Sequence, residues 1–361
     1  MNRERACTAD ESAARWIVGT VDTPAARVSR IATKWSWRDR VEHFRCRVGS
    51  FRNRYAVEPG LYAVGRPGPR SEVLVTANYK LSFDHVRRAL DGIDAWVLVL
   101  DTRGVNVWCA AGKGTFGTEE LIRRIEAVAL DRVVAHRRVI VPQLGAPGLR
   151  AHEVQRATRF RVHFGPVRAS DIAAYLRAGL EATAEMRHVR FDLAERVVLV
   201  PMELVPAMKA LALYAAFVFL LFGVGPQGFR LEKGWSAGLS FAGLGVIAVV
   251  SGALVTPIFL PYVPGRAFAV KGWLVGLALT AGYAMLVPAI HGSGLSLAAF
   301  AYVFAPAASS YLALQFTGST TFTSMSGVRK ELRYSVPLHL AAAAIAVALF
   351  AAHEVAALRG T

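Results

Sequence analysis

Few residues in this chain could do more than pack, and they are concentrated in one run. Cys109 stands in Asn106-Val-Trp-Cys-Ala-Ala-Gly-Lys113, and Gly112-Lys-Gly114-Thr-Phe-Gly117 overlaps its end. A thiol can serve as a soft metal ligand or as a nucleophile, in either case as the thiolate. A lone cysteine in an apolar strand is otherwise an ordinary small buried hydrophobe. The glycines match G-x-G-x-x-G, which brings backbone close to a pyrophosphate at a helix N-terminus. That chemistry also needs an acid at the far end of the next strand to hold the ribose. Asp131 lies about the right distance on, but ahead of that strand, whose end reads Pro142-Gln143. The glycine pattern is therefore a weak basis for a nicotinamide or flavin site. No C-x-x-C occurs among Cys7, Cys46 and Cys109, which argues against zinc ribbons, cysteine-bound iron–sulfur clusters and a disulfide framework. Cys7 and Cys46 are assigned no role.

The elements that must position this run alternate between strand and helix. EVLVTA (72–77) reads as a buried strand, and Ser82 as the cap of a helix that stops at Gly92. AWVLVLD (95–101) reads as a strand, and VNVWCAA (105–111) as a further apolar, strand-like run. TEELIRRIEAVAL (118–130) has apolar residues at helical spacing, with Thr118 at its N-cap and Glu119 and Glu120 suiting the dipole. RRVIVPQ (137–143) and FRVHF (160–164) are expected strands, AHEVQRAT (151–158) and SDIAAYLRAG (170–179) helices, and RVVLVPMEL (196–204) the last strand. This alternation predicts a Rossmann-like, three-layer α/β domain over 55–206 with a mostly parallel sheet. Ligands in such sheets sit beyond the carboxyl ends of the strands, which nominates the loops 76–80, 109–114, 143–148 and 165–168. Residues 1–54 are Arg-rich, weakly periodic, and are assigned no fold.

Composition divides the chain sharply. Of 42 Lys+Arg and 26 Asp+Glu, residues 210–361 hold only eight and three. Mean hydropathy is +0.36, which excludes a disordered or purely soluble chain. Five apolar stretches, about 208–225, 236–260, 270–290, 295–316 and 336–356, approach the length needed to cross a bilayer. They predict an all-α transmembrane domain over 207–361. Inner loops would hold Arg266, Lys271, Arg329, Lys330 and Arg333, against Arg230, Lys233 and Arg359 outside. That bias, with an N-terminus that lacks the apolar core of a signal peptide, places the polar half in the cytosol and the C-terminus outside a cytoplasmic membrane. The spans lack the buried charges of a transport path, so anchoring or docking is the expected role. The polar stretch FTGSTTFTSMSGVRKE (316–331) is either a plain connector or a partner-contact surface. The arginines before Tyr55 suit an anionic leaflet; no recognition helix or stacking motif accompanies them, so nucleic acid is not expected.

NVWCAAGK resembles the cap-helix motif of the HgcA family, the membrane-anchored corrinoid proteins of the mercury-methylating pair. LVTANYKLSFD, DAWVLVLDTRGVNVWCAAGKGTFGTEEL, VIVPQLGAPGLRAHEV and FGPVRASD extend the resemblance, which covers roughly residues 55–335, including five spans and the FTGSTTFTSMSGV loop. It implies a cobalamin-binding domain akin to part of the corrinoid iron–sulfur protein, with Cys109 as axial cobalt ligand. None of the nine histidines lies in D-x-H-x-x-G, the pattern by which many corrinoid proteins ligate cobalt, which agrees with a cysteine in that role. The candidate cofactor-binding residues are Thr76, Asn78, Asn106, Trp108, Ala110, Ala111, Gly112, Lys113, Gln143, Gly145, Ala146, Gly165 and Pro166. Among them, Trp108 is either core or cofactor wall, and Lys113 either a surface cation or an orienting group. The implied activity is a corrinoid-dependent methyltransferase that passes a methyl group from cobalt to Hg(II). Hg(II) is a soft electrophile that needs methyl as a carbanion or radical, and thiolate donation from Cys109 would favour carbanion-type departure. The implied partners are the ferredoxin-like HgcB, supplying electrons and Hg(II), and a folate-derived methyl donor. The competing readings are a membrane-tethered cobalamin carrier or sensor, and a dinucleotide-dependent oxidoreductase.

Overall fold

The computed structural model describes residues 14–225, 228–229, 231–320 and 322–359. Cys7 and Arg230 lie outside the described residues. The chain divides into two compact units, Met1–Val189 and Arg190–Thr361, ahead of the 206/207 division expected from composition.

In the first unit, side-chain alternation along the strands builds a core on each face of one sheet. Strands β1 (Ile17–Asp22), β2 (Arg27–Ile31) and β3 (Gly60–Val64) precede β4 (Val73–Ala77), β5 (Ala95–Leu100), β6 (Arg138–Pro142) and β7 (Arg161–Gly165). They are ordered β1-β2-β3-β5-β4-β6-β7. The run β5-β4-β6-β7 is parallel, and β3 adds antiparallel to β5. In β5, Trp96, Leu98 and Leu100 enter one core while Ala95, Val97 and Val99 enter the other. Helices therefore cover both faces, and the expected three-layer architecture is present. The N-terminal segment to which the sequence assigns no fold supplies the β1–β2 hairpin and helix α1 (Trp37–Val48).

On one face lie α2 (Lys80–Ala89) and a later helix, α6; on the other lie α3 (Val107–Lys113), α4 (Thr118–Ala127) and α5 (Ala151–Thr158). The later helix α6 spans Ile172–Arg177. Three local expectations differ. The run 105–111 is not a strand: it enters α3, because Asn106 caps a helix there. The cap of α2 is Tyr79, ahead of Ser82, and Thr118 lies inside α4, where its Oγ1 accepts from Arg150 N instead of capping.

A buried ionic cluster fastens α1 to α2. Asp84 is fully buried and pairs with His43 Nε2 at 2.7 Å, Lys80 Nζ at 2.6 Å and Arg87 Nε at 2.6 Å. Arg87 reaches on to Asp39 of α1 at 3.1 Å. Burial pushes the Asp84 carboxyl up, and the His43 hydrogen bond with the Lys80 and Arg87 charges more than reverses this, leaving it below the usual carboxylate range.

The second unit is helical: α7 (Leu193–Gly223), α8 (Leu231–Val249), α9 (Phe268–Leu286), α10 (Leu295–Gln315) and α11 (Met325–Arg359). Among the described residues, five helices are long and apolar enough to cross a membrane. RVVLVPMEL is not a strand but the first turns of α7, which Asp192 caps through Glu195 N. Its β-branched run imitates a strand, yet it is continuous with a helix that runs on to Gly223 and is apolar apart from Lys209, and segments in lipid must satisfy their backbone internally. The stretch 316–331 is not one loop: Phe316–Ser319 is a 3-10 turn, and α11 begins at Met325. Small residues allow close helix approach. A Cβ on Gly276 would meet Pro306 Cα at 2.9 Å, and Ser309 Oγ donates to Gly272 O at 2.7 Å.

Asp84 has a folded pKa below its unfolded value, so its stabilisation is complete above about pH 4 and is lost as pH falls through the folded value. Asp84→Asn should cost about 3–5 kcal/mol by leaving Lys80 and Arg87 without their buried counter-charge. Denaturant titration of the whole chain should show this loss at neutral pH and a shallower decline below pH 4 in the variant.

Candidate functional site

The parallel strands reverse direction of progression between β4 and β6: the chain steps outward from β4 to β5, then returns past β4 to start β6. Such a switch point opens a crevice at the carboxyl ends of the strands, since the flanking connections leave on opposite faces. A cavity of about 540 Å³ lies there. Its walls come from Thr76 of β4, Pro142 of β6, Gly165 at the end of β7 and Pro166 after it, and Asn106, Val107 and Trp108 at the start of α3. Mostly apolar walls with a few convergent polar groups are what a cofactor pocket requires.

The loop between β5 and α3 decides where Cys109 stands. Arg103 and Gly104 both take left-handed backbone, with φ of 57° and 72°, a conformation that costs a non-glycine residue energy unless it is held. Asn78, at the end of β4, holds it. Its Oδ1 accepts from Thr102 N at 3.0 Å and Gly104 N at 2.9 Å, and its Nδ2 donates to Asp101 Oδ1 at 3.3 Å. Thr102 Oγ1 lies 2.8 Å from the same oxygen and 2.6 Å from Val105 O, sharing one proton between two acceptors. Asn106 then starts α3: its Oδ1 accepts from Cys109 N at 2.9 Å. Cys109 is thereby fixed on the first turn, immediately after three cavity-lining residues. It is half-buried, its thiol is free, and among the described residues its sulfur has no partner.

The other face of α3 is seated on the 3-10 turn Gln143–Gly148. Ala110 and Ala111 are buried, and a Cβ on Gly148 would meet Phe116 O at 2.2 Å and Ala111 Cα at 3.1 Å. A Cβ on Gly145 would strike the Phe116 ring at 2.5 Å. Gly114 ends α3 in left-handed backbone at φ 78°. The glycines of G-x-G-x-x-G are thus spent on a helix stop and a tight turn between two helices, with no strand before them, and the dinucleotide reading lacks its structural context.

Of the residues nominated from sequence, Thr76, Asn106, Trp108, Gly165 and Pro166 meet at the cavity. Trp108 is 37% exposed and forms wall, not core. Asn78 is buried in loop support; Ala110, Ala111, Gln143, Gly145 and Ala146 form or pack against the seat of α3; Gly112 and Lys113 are exposed at its far end. Sequence reasoning missed Ser82, His85 and Val86, which line the cavity from α2, and Ala169, Ser170 and Ile172, whereas Val167 and Arg168 lie in the nominated loop 165–168. The spacing 82, 85, 86 is one helical face, a signal available once α2 is assigned. Desolvation, with His43 and Arg47 nearby, lowers the His85 pKa to about 4. Metal-binding groups of three or more His, Cys, Asp or Glu are absent among the described residues.

Residues 49–176 match the family described as CO dehydrogenase/acetyl-CoA synthase delta subunit. Acetyl-CoA decarbonylase/synthase complex subunit gamma of Methanopyrus kandleri is 35% identical over 122 residues, 33% of this chain and 26% of the relative. The same subunit of Archaeoglobus fulgidus is 34% identical over 122 residues, with the same two shares. The corrinoid/iron-sulfur protein large subunit of Moorella thermoacetica is 32% identical over 126 residues, 34% of this chain and 28% of the relative. The chain spans about a quarter of the length of these curated relatives. Its α/β unit holds a domain similar to one in the corrinoid/iron-sulfur protein large subunit, and all of the cavity-lining residues fall inside the matched segment.

Two substitutions separate support from lining. Gly148→Ala puts a methyl against backbone that cannot yield and should cost about 1–3 kcal/mol by lifting α3 off its seat. Asn106→Ala should cost about 1 kcal/mol through the lost cap. It should also raise amide exchange at Cys109 specifically, which hydrogen–deuterium exchange of the whole chain reads directly.

Proposed function

We propose that this chain is a corrinoid-dependent methyltransferase that passes a methyl group to Hg(II), forming methylmercury, with Cys109 as axial ligand to the cobalt of a cobalamin-type cofactor. The observation that carries the proposal is a half-buried, unpartnered thiol on the first turn of α3, one residue past the three that line the cavity, in a domain similar to one in a corrinoid/iron-sulfur protein; Cys109 is not itself among the lining residues. The residues present suit such a group. The cavity is at the switch point, its walls are largely apolar, and the donor offered is one soft thiol with no competing bond.

Cys109 would hold the cobalt, while Thr76, Trp108, Gly165 and Pro166 would line the cavity where the rest of the cofactor is accommodated. When bound, the corrinoid supplies a cobalt that can accept and release a methyl group. Asn106 orients Cys109 by capping the turn that bears it, and Ala110 and Ala111 keep α3 from shifting on its seat. The Cys109 thiolate would be the soft, strongly donating group that holds the cobalt, and the cofactor so held would supply methyl in the electron-rich form that an electrophilic Hg(II) must receive. Hg(II) is the substrate here, carried by thiols elsewhere. The proposed partners are HgcB, a ferredoxin-like protein that supplies electrons and Hg(II), and a folate-derived methyl donor. The apolar helices anchor the assembly in a cytoplasmic membrane, with the α/β unit on the cytosolic side. A second reading, a tethered cobalamin carrier or sensor without turnover, draws on the fact that the similarity covers a single domain of much longer relatives.

Full-length protein reconstituted anaerobically with cobalamin should show a sulfur scatterer at the cobalt X-ray absorption edge, and Cys109→Ala should lose it. With reductant and methyl donor, the wild type should form methylmercury, while the variant falls to background and still binds corrinoid. Methylation retained in Cys109→Ala would sink the axial-ligand mechanism. Corrinoid binding with neither a cobalt–sulfur contact nor turnover would leave the carrier reading.

A further inference from the structure

Helix α1 is amphipathic in the opposite sense to a helix that covers a core. Its polar residues face inward: Asp39 and His43 join the buried cluster around Asp84 and Arg87, and Glu42 accepts from Tyr55 Oη at 2.5 Å. Its large apolar residues face outward, while the small Cys46 is buried. Trp37, Val41 and Phe44 are 69%, 45% and 63% exposed, and with the half-buried Val48 they recur at helical spacing along one stripe, at roughly 100° per residue. Arg38 and Arg45 flank the stripe on one side, Arg40 and Arg47 on the other. A core-covering helix shows the reverse arrangement, and isolated exposed apolar residues would not line up between two rows of cations.

An aromatic–aliphatic stripe bordered by arginines is what an interfacial helix presents to a bilayer. Residues 15–54 hold ten basic groups against three acidic ones, so the surround complements anionic headgroups and is unsuited to a zwitterionic surface. The α/β unit ends at Val189 and the first apolar helix begins at Leu193, so a membrane is always within reach of this unit. The helix also lies ahead of residues 49–176, the segment shared with the family, and its capping box of Ser36 and Asp39 and its ionic clasp to α2 make it preformed.

We propose that the outer face of α1 is a docking surface for an anionic lipid bilayer, on which Trp37, Val41 and Phe44 enter the headgroup–acyl boundary and the four flanking arginines contact lipid phosphates. This holds the α/β unit flush with the membrane along a second attachment besides the apolar helices. It stands on observations separate from the corrinoid cavity and does not depend on the proposed reaction.

The test uses the full chain in lipid nanodiscs with brominated or ordinary acyl chains, made from phosphatidylcholine with or without phosphatidylglycerol. Subtracting the fluorescence of Trp37→Phe isolates the emission of Trp37. In discs containing phosphatidylglycerol, that emission should be blue-shifted and quenched by the bromines. Arg38→Gln and Arg40→Gln, both at exposed positions, should each lower the docked-to-undocked ratio about fivefold, and high salt should do the same. Trp37 emission that is equal in brominated and ordinary discs would overturn the proposal and point to a protein covering this face or to none. Quenching of equal strength without phosphatidylglycerol would overturn the assignment to anionic lipid.

Discussion

The side-chain amide of Asn78 is the contact on which the site depends. It ends β4, the central strand at the switch point, and its oxygen takes up the N–H groups of Thr102 and Gly104 in the loop that leaves β5. Two adjacent left-handed residues in that loop would not persist unaided. Because they do, the chain turns back over the sheet at Asn106, and α3 begins with three residues that line the cavity and Cys109 directly after them. A buried amide that loses these partners leaves desolvated backbone donors unpaired, so the geometry of the thiol is written into a residue thirty-one positions away.

Small residues serve the same end by a different route. Ala110, Ala111, Gly145 and Gly148 make a seam between α3 and the turn after β6 that admits no added methyl. The seam fixes the height of the helix above the strand ends, and with it the wall formed by Trp108. The glycine-rich stretch that imitates a nucleotide fingerprint belongs to this construction: its glycines let one short helix stop and another start within a few residues.

A second construction, independent of the cavity, joins the N-terminal segment to the domain. The ionic cluster around Asp84 is expensive to bury and tolerable because each charge has a partner. By occupying most of the inner face of α1 with charge, it leaves Trp37, Val41 and Phe44 on the outside. Charge inside and hydrocarbon outside is consistent for a domain that works at a lipid surface, and the apolar helices of the second unit, with their small-residue contacts, belong to the same setting.

Local pattern decided the layers. Runs such as VLVTA and AWVLVL bury both faces, and apolar residues at helical spacing around Leu121 and Ile125 could only pack one side of a helix on a sheet. The five apolar helices were equally legible, because the length needed to cross hydrocarbon is a property of the segment alone. Cys109 and Asn106 could be singled out by their run, and Thr76, Gly165 and Pro166 by their place near strand ends. Whether a residue lines the cavity or supports it was decided only by tertiary structure. Asn78 and Gly145 sit in the nominated loops yet point into packing, whereas His85 and Ser170 reach the cavity from elements that no motif marks. The run before the glycines and RVVLVPMEL both read as strands, since β-branched residues favour strands in isolation. They are helices because a cap at Asn106 and continuity with an apolar span outweigh a propensity worth fractions of a kcal/mol per residue. The strands and helix before Tyr55 gave no readable period because their partners, β3 and the Asp84 cluster, lie far along the chain, and only folding brings those partners together.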